Sequence, residues 1–441
     1  MDFNKLKEAA FAAGIKEIEV YTMHKNGIEI SAFNGVVENN TSYSTDVMAV
    51  RGVYNNQICT VYEENCNDEV IPSIVKRIKD NASIKNSKDP FFVYPGDESY
   101  PELVEKNVDF DNYTLEDKVN LCLALDAKLR EKSEYVDKTE VSYSEDSYEV
   151  SIINSNGLNV SKSGRYGAVV AEAVCAKGDE TKVGFEYERI SSIADVNLDA
   201  LASEAVNKAV SGFGAESIPS GSYPVILDKK VVSSLLGAFS SIFAATQVIR
   251  NMSFLKDKLG EKIFGDNITL IDDPLSLEAP TQSSFDDEGV ACFTKSVVEN
   301  GVLKTYLHNL STAAMMGTKS TGNGKKPGVN SSVGVSPSNL YLKAGDVNFD
   351  EMVSSVENGV YVTSVQGLHA GLNPISGSFN LQSSGFMIEN GKITKPVTLI
   401  ILSGTLQEML NNVKHVGSDF EFKRGVGAPS LLVESMAISG K

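Results

Sequence analysis

Val231–Phe264, VVSSLLGAFSSIFAATQVIRNMSFLKDKLGEKIF, is the longest helix-like stretch of the chain. Leu235, Leu236, Phe239, Ile242 and Phe243 follow the i, i+1, i+4, i+7, i+8 pattern of one buried helix face. The residues between them are small: Gly237, Ala238, Ser240, Ser241, Ala244 and Ala245. A helix of this kind lets another backbone come close. Val231–Ile249 contains no His, Asp, Glu, Cys, Lys or Arg. An active-site helix here would have no acid, base or metal ligand.

Downstream of this central helix the sequence turns β-rich and Gly-rich. Candidate strands are Thr269–Asp272, Val290–Glu299, Val302–Leu307, Asn339–Leu342, Gly359–Gln366, Ser378–Glu389, Lys392–Ile401 and Leu431–Ile438. Glu299–Asn300–Gly301 and Glu389–Asn390–Gly391 are hairpin signals, because Asn-Gly accepts the positive φ that a tight β-turn needs. Lys319–Val335 reads as a loop, and Leu406–Val413 as a short helix.

Upstream, helix patterns at Asp2–Gly14, Asn67–Ala82, Leu115–Lys132 and Asn197–Gly212 flank two runs of short strands. The first run is broken at KNG, FNG and YNN, which read as turns; the second contains a hairpin at Ser155–Gly157. Two helix–strands–helix units of like order suggest an internal duplication. The expected fold is α+β. Residues 1–82 and 115–217 form an N-terminal α/β domain with a hairpin-rich sheet and flanking helices, joined by a connection at 83–114. Residues 221–441 form a C-terminal β-rich domain, a curved antiparallel sheet or open barrel packed on the central helix.

The formal charge of −18, from 58 acidic and 40 basic residues, argues against direct nucleic-acid contact, which needs clustered Lys and Arg. No apolar run reaches the ~18 residues of a membrane span, and the amphipathic start has no signal-peptide core. The expectation is a cytoplasmic protein with no membrane contact. Cys59, Cys66, Cys122, Cys175 and Cys292 are scattered and odd in number, which reads as reduced, buried thiols rather than a zinc site. His24, His308, His369 and His415 lie far apart with no partner at ligand spacing. Asp286, Asp287 and Glu288 in SSFDDEG form an acidic turn, read as a solvated hairpin, with a cation or peptide-amine site as the alternative. KSTGNGKKPG lacks the P-loop order and is followed by no helix pattern. From the residues alone, no catalytic constellation stands out.

Several stretches resemble the TldD/PmbA family, in its PmbA (TldE) branch. They include NMSFLKDKLGEKIF (Asn251–Phe264), SSFDDEGV (Ser283–Val290), KSTGN (Lys319–Asn323), ISGSFNLQSSGFMIENGKITKPV (Ile375–Val397), LSGTLQEMLNNVKHVGSD (Leu402–Asp419) and PSLLVESMAISG (Pro429–Gly440). The resemblance implies a two-part architecture and a peptidase complex. Its TldD-type member carries an HExxxH helix with a later Cys as a further zinc ligand, a set that activates water against an amide. Counted back from Gly260 without gaps, that window falls here on Leu236–Gly237–Ala238–Phe239–Ser240–Ser241. Leu236 and Ser241 stand where histidines would be, and Gly237 where the Glu would be. No Cys follows Cys292.

The resemblance thus implies a non-catalytic subunit with no metal or other cofactor of its own, the zinc residing in a TldD-like HExxxH partner. The expected assembly is a heterodimer with that partner, or a homodimer, acting on extended or unfolded peptides. The alternative is a regulatory protein-binding protein, after the family's older label of DNA gyrase modulator. Lys319, Ser320, Thr321, Gly322, Asn323, His369, Gly377 and Ser378 are the expected groove or partner contacts.

Overall fold

Val36–Tyr54 is one strand of nineteen residues, not the two short strands its composition suggests. The computed structural model describes residues 1–441 except Glu105, Arg424 and the side chain of Lys423. Glu105 falls in the connection expected at 83–114 and lies outside the described residues.

In chain order the elements begin with α1 (Phe3–Ala12), β1 (Glu17–Phe33), β2 (Val36–Tyr54), β3 (Gln57–Glu63) and α2 (Ile71–Ile84). There follow α3 (Leu115–Glu131), β4 (Val136–Asn154), β5 (Asn159–Lys177), β6 (Glu180–Ile190) and α4 (Leu198–Val210). Next come β7 (Gly221–Leu227), α5 (Lys229–Phe239), α6 (Ala245–Ile249), β8 (Leu270–Asp272), β9 (Lys295–Glu299) and β10 (Val302–Leu303). Then α7 (Leu310–Met315), β11 (Gly324–Lys325), β12 (Gly334–Val335), β13 (Leu340–Leu342), α8 (Phe349–Ser354), β14 (Asn358–Gln366) and β15 (Leu372–Asn373). The last are β16 (Ser378–Glu389), β17 (Lys392–Thr405), α9 (Leu406–Asn411), β18 (Val413–Val416), β19 (Glu421–Lys423), β20 (Val426–Ala428) and β21 (Leu431–Ser439).

The chain divides into two compact units. The first holds Met1–Val210, Ser283–Cys292 and Asn309–Gly334; the second holds Ser211–Gln282, Phe293–His308 and Val335–Lys441. Two stretches downstream of residue 221 therefore belong to the first unit.

The first unit is built on one antiparallel sheet in the order β3-β2-β1-β4-β5-β6. Each half is a three-strand meander preceded by one helix and followed by another, and the halves join where β1 pairs with β4. The expected turn at Lys25–Gly27 is absent: Lys25, Asn26 and Gly27 pair in register with Thr45, Ser44 and Tyr43. Gly27 serves a close approach instead, since a Cβ there would lie 2.4 Å from Tyr43 Cζ. FNG and YNN do turn, with Asn34, Asn55 and Asn56 at positive φ. Asp2 caps α1 by accepting from the N–H groups of Asn4 and Lys5. Thr114 and Asp117 form a capping box at α3. Leu6, Ala10, Ile74 and Ile78 of α1 and α2 close a core over Ile18, Val50 and Val61.

In the second unit β14-β7-β21-β17-β16 form a ring, because β14 also pairs with β16. An odd ring cannot be antiparallel throughout; the parallel pair β14–β7 resolves the mismatch. The sheet is thus a closed five-strand barrel rather than an open one. β15 extends it beyond β16, and β18 pairs with β21. A second sheet runs β10-β9-β8-β13-β20-β19. Both Asn-Gly hairpins form as expected: Glu299 pairs with Val302 and Glu389 with Lys392, leaving two residues at positive φ in each turn.

The long central helix does not form. α5 ends at Phe239, Ser240–Phe243 is a 3-10 turn, and α6 covers only Ala245–Ile249. Ala244 is extended, and Leu307 N–H donates to Phe243 O while Ala245 N–H donates to Leu307 O. Asn251, Asp257 and Gly260 have positive φ, which no continuous α-helix admits. The apolar face read from the sequence is nonetheless the buried one. Leu235, Leu236 and Phe239 lie in the core with Val225, Val362 and Leu402, and Phe239 meets Phe379 edge-on at 6.4 Å.

Candidate functional site

α5 and the turn after it deliver the two ends of the HExxxH-equivalent window to different places. Leu236 is buried in the barrel core. Gly237 faces Val426, with room for a Cβ at 3.5 Å. Ser241, one residue into the 3-10 turn, lines a cavity of about 680 Å³. An aliphatic side chain, a glycine and a hydroxyl offer no imidazole and no carboxylate, so a zinc ion does not fit this window. Among the described residues, no three His, Cys, Asp or Glu converge in a way that could hold a metal.

The cavity lies in the second unit. One wall is the segment Ala370–Ile375, which includes β15; the other walls include Ser241, Gln247, Met252, Ser378 and Asn380. Turns fix this wall. Gly371 N–H donates to Gly367 O at 2.7 Å, Asn380 N–H to Gly371 O at 2.8 Å, and Gly377 N–H to Asn373 O at 2.8 Å. Asn373 Oδ1 accepts from Ile375 N–H at 3.0 Å, which shapes the bend. Amide and hydroxyl groups alternate with apolar surface, and none of the described lining residues titrates. Such a lining can hold a ligand by neutral hydrogen bonds and apolar contact, but it has no group with which to move a proton. β15 pairs only with β16 among the described residues, so its outer edge is a strand template.

The acidic turn in the first unit is not solvated, contrary to the sequence reading. Asp286 is fully buried, and Asp287 and Glu288 are nearly so. Asp286 Oδ1 accepts from Glu288 N–H (2.9 Å) and Val290 N–H (3.0 Å), and its Oδ2 from Gly324 N–H (2.8 Å). Asp287 Oδ2 accepts from Lys326 N–H at 2.8 Å, and Glu288 Oε2 from Leu310 N–H at 2.7 Å. Burial raises the pKa of both Asp286 and Glu288, and the charge of Asp286 raises Glu288 further. Three backbone donors favour the ionised form of Asp286, so Glu288 takes the first proton as pH falls.

Basic groups surround this turn. Glu19, fully buried on β1, sits opposite Arg51 of β2 and accepts from its Nε (2.8 Å) and Nη2 (2.6 Å). Lys162 Nζ donates to Ser283 Oγ (2.8 Å) and Phe285 O (2.7 Å). Its pKa falls to about 8 through burial and the nearby charge of Lys325. Glu19, Arg51 and Lys162 carry no mark in the sequence reading, and Lys326 enters it only within the KSTGNGKKPG loop. A signal existed for the first two: each is a single charge set in an apolar strand segment, IEV and AVRGV.

Of the expected contact residues, Ser378 lines the second-unit cavity. Gly377 precedes it at positive φ, where a Cβ would lie 2.9 Å from Phe254 Cε1, and His369 is exposed beside the lining residue Ala370. Lys319–Asn323 belong to the first unit. There Lys319 is exposed, Ser320 Oγ accepts from Gly322 N–H, and Thr321 Oγ1 donates to the buried Asn323 side chain at 2.7 Å. Gln247, Met252, Asn373 and Asn380 carried no mark in the sequence, because only the fold brings them together.

Comparisons with known proteins bear on both units. Residues 108–213 match the PmbA/TldA metallopeptidase central domain, and residues 220–440 match the PmbA/TldA metallopeptidase C-terminal domain. A metalloprotease of Methanocaldococcus jannaschii is 28% identical over 96% of this chain and 94% of its own length. A metalloprotease PmbA homolog of Buchnera aphidicola is 24% identical over 96% of this chain and 93% of its own. Among solved structures, a Thermotoga maritima protein described as a candidate modulator of a DNA gyrase aligns with a TM-score of 0.90. It is 29% identical and covers 99% of this chain and 100% of its own. TldE of Thermococcus kodakarensis shares the fold, with a TM-score of 0.88 at 20% identity over 99% of this chain and 100% of its own. A C-terminal model spanning half the chain, a central model before it, and a common fold over nearly every residue lead to one conclusion: this protein belongs to the PmbA/TldD family.

Proposed function

We propose that this chain is a non-catalytic, peptide-holding subunit of a cytoplasmic TldD-type zinc metallopeptidase, active in the degradation or processing of unfolded peptides. The observation that carries the reading is the chemistry of the second-unit cavity. Ser241 lines it where a zinc-ligating histidine would stand, and no described lining side chain can ligate zinc or exchange a proton near neutrality.

The residues present suit an extended peptide. The outer edge of β15 offers backbone N–H and C=O groups to an added strand, which binds with little regard to sequence. Asn373, Asn380, Gln247 and Ser378 supply neutral donors and acceptors, and Met252 and Leu372 supply adaptable apolar surface. Zinc, water activation and amide cleavage belong to an HExxxH-bearing partner in a heterodimer, while the chain alone forms at most an inactive homodimer.

The test is zinc content and peptide hydrolysis, measured on the purified chain alone and with an HExxxH partner. No zinc and no cleavage alone, with chelator-sensitive cleavage on mixing, is the expected result. Stoichiometric zinc and cleavage by the chain alone would overturn the reading. A mixture that neither associates nor cleaves would also overturn it and return weight to a regulatory role.

A further inference from the structure

We propose that a second cavity, wholly within the first unit, is a binding site for a phosphoryl oxyanion. It measures about 220 Å³, and its walls come from β2, β3, the connection after α2, the Lys326 segment, Ser331–Val333 and the start of α7. Arg51, Lys85 and Lys326 line it, together with the hydroxyls of Thr60, Ser311 and Ser331.

The state of Lys326 points to a ligand. Its Nζ is inaccessible to solvent and has no hydrogen-bond partner. Nζ lies over the Tyr21 ring, 4.1 Å from its centroid. An ammonium has three donors and no acceptor; burying it with none of them used is costly. The carboxylates nearby are committed elsewhere: Glu19 to Arg51, Asp287 to the Tyr21 hydroxyl and the Lys326 backbone N–H, and Glu288 to the backbone of Leu310. What Nζ lacks is an acceptor. An anion beside Nζ would supply one and offset the burial and the Arg51 charge that lower the Lys326 pKa to about 8.

The donor set selects the class of anion. A carboxylate presents two oxygens in one plane, whereas a phosphoryl group presents three in a tetrahedron. Cations and hydroxyls drawn from six separate segments suit the second. Asp89 and Glu288 also line the cavity and would repel an anion. Glu288, whose pKa is raised by burial and Asp286, becomes a donor once protonated. This inference stands apart from the peptide reading, since it concerns other residues and another ligand.

The test is calorimetric titration of the full chain at constant ionic strength with inorganic phosphate, glycerol phosphate and acetate. Expected is saturable heat with phosphate or the ester, about tenfold weaker binding in K326M, and retained binding in K326R. Binding of the ester but not of free phosphate would assign the source as a phosphomonoester; the reverse would assign the free ion. If K326M fails to fold, S311A/S331A replaces it, with the same expected weakening. No saturable phosphoryl binding, equal binding of acetate, or wild-type affinity in the folded variant would overturn the proposal.

Discussion

Replacing Arg51 with Met should destabilise the first unit by about 3–5 kcal/mol. In the native protein the fully buried carboxylate of Glu19 takes two N–H bonds from Arg51 and one, at 3.3 Å, from Asn154 Nδ2. R51M removes the cation that donates to the carboxylate and leaves it with Asn154 and the more distant Lys326 charge, a change that costs about 3–5 kcal/mol when a buried pair is broken. E19Q/R51M has no charge to bury and should recover most of the loss at pH 7.5. Native-state hydrogen exchange of the β1 and β2 amides in urea reads the opening of this sheet by itself, which matters in a chain of two units. An R51M cost under about 1 kcal/mol, or a double variant as unstable as R51M, would refute the reasoning.

Glu288→Gln should flatten the pH dependence of stability. The wild type loses stability as pH rises from about 4.3 through the raised Glu288 pKa, so the variant gains on it over that window in melts at successive pH values. Phe239→Ala empties a fully buried site against Phe379 and should cost about 3–5 kcal/mol, with Phe239→Leu far milder in urea unfolding of the second unit. Ser241→Trp places a large ring in the 680 Å³ cavity; it should weaken binding of a labelled extended peptide at least about tenfold, read by fluorescence anisotropy, while the melting temperature stays near that of wild type.

The features legible in the sequence are those whose physics is local. Asn300–Gly301 and Asn390–Gly391 fix their hairpins because positive φ at two successive residues is a property of those residues. The capped start of α3 and the β14, β16, β17 and β21 strands are likewise carried by short-range pattern. Lys25–Asn26–Gly27 misleads because its glycine answers to the Tyr43 ring on the neighbouring strand. Val231–Phe264 misleads because periodicity records which face is buried and not whether the backbone stays helical. The acidic turn misleads for a related reason. Its donors come from Gly324, Lys326 and Leu310, and composition cannot report that distant amides will meet three carboxylates. In the second-unit cavity, Ser378 was marked by family likeness alone, while Gln247, Met252 and Asn380 become neighbours only through the fold.

The position of β21 in the barrel has a consequence for how the chain is made. β21 follows its four ring partners in sequence yet sits between β7 and β17, with Gly221 paired to Ile438. During synthesis the β7 edge that β21 covers stays open while some two hundred residues of chain are added, and the β17 edge while about twenty-five are. The sheet of the first unit has no such interval between its hairpin neighbours, which pair as they appear. The second unit thus leaves a β-edge unpaired for about twice the interval that β1 of the first unit waits for β4. A chain cut short before Leu431 keeps those edges open permanently.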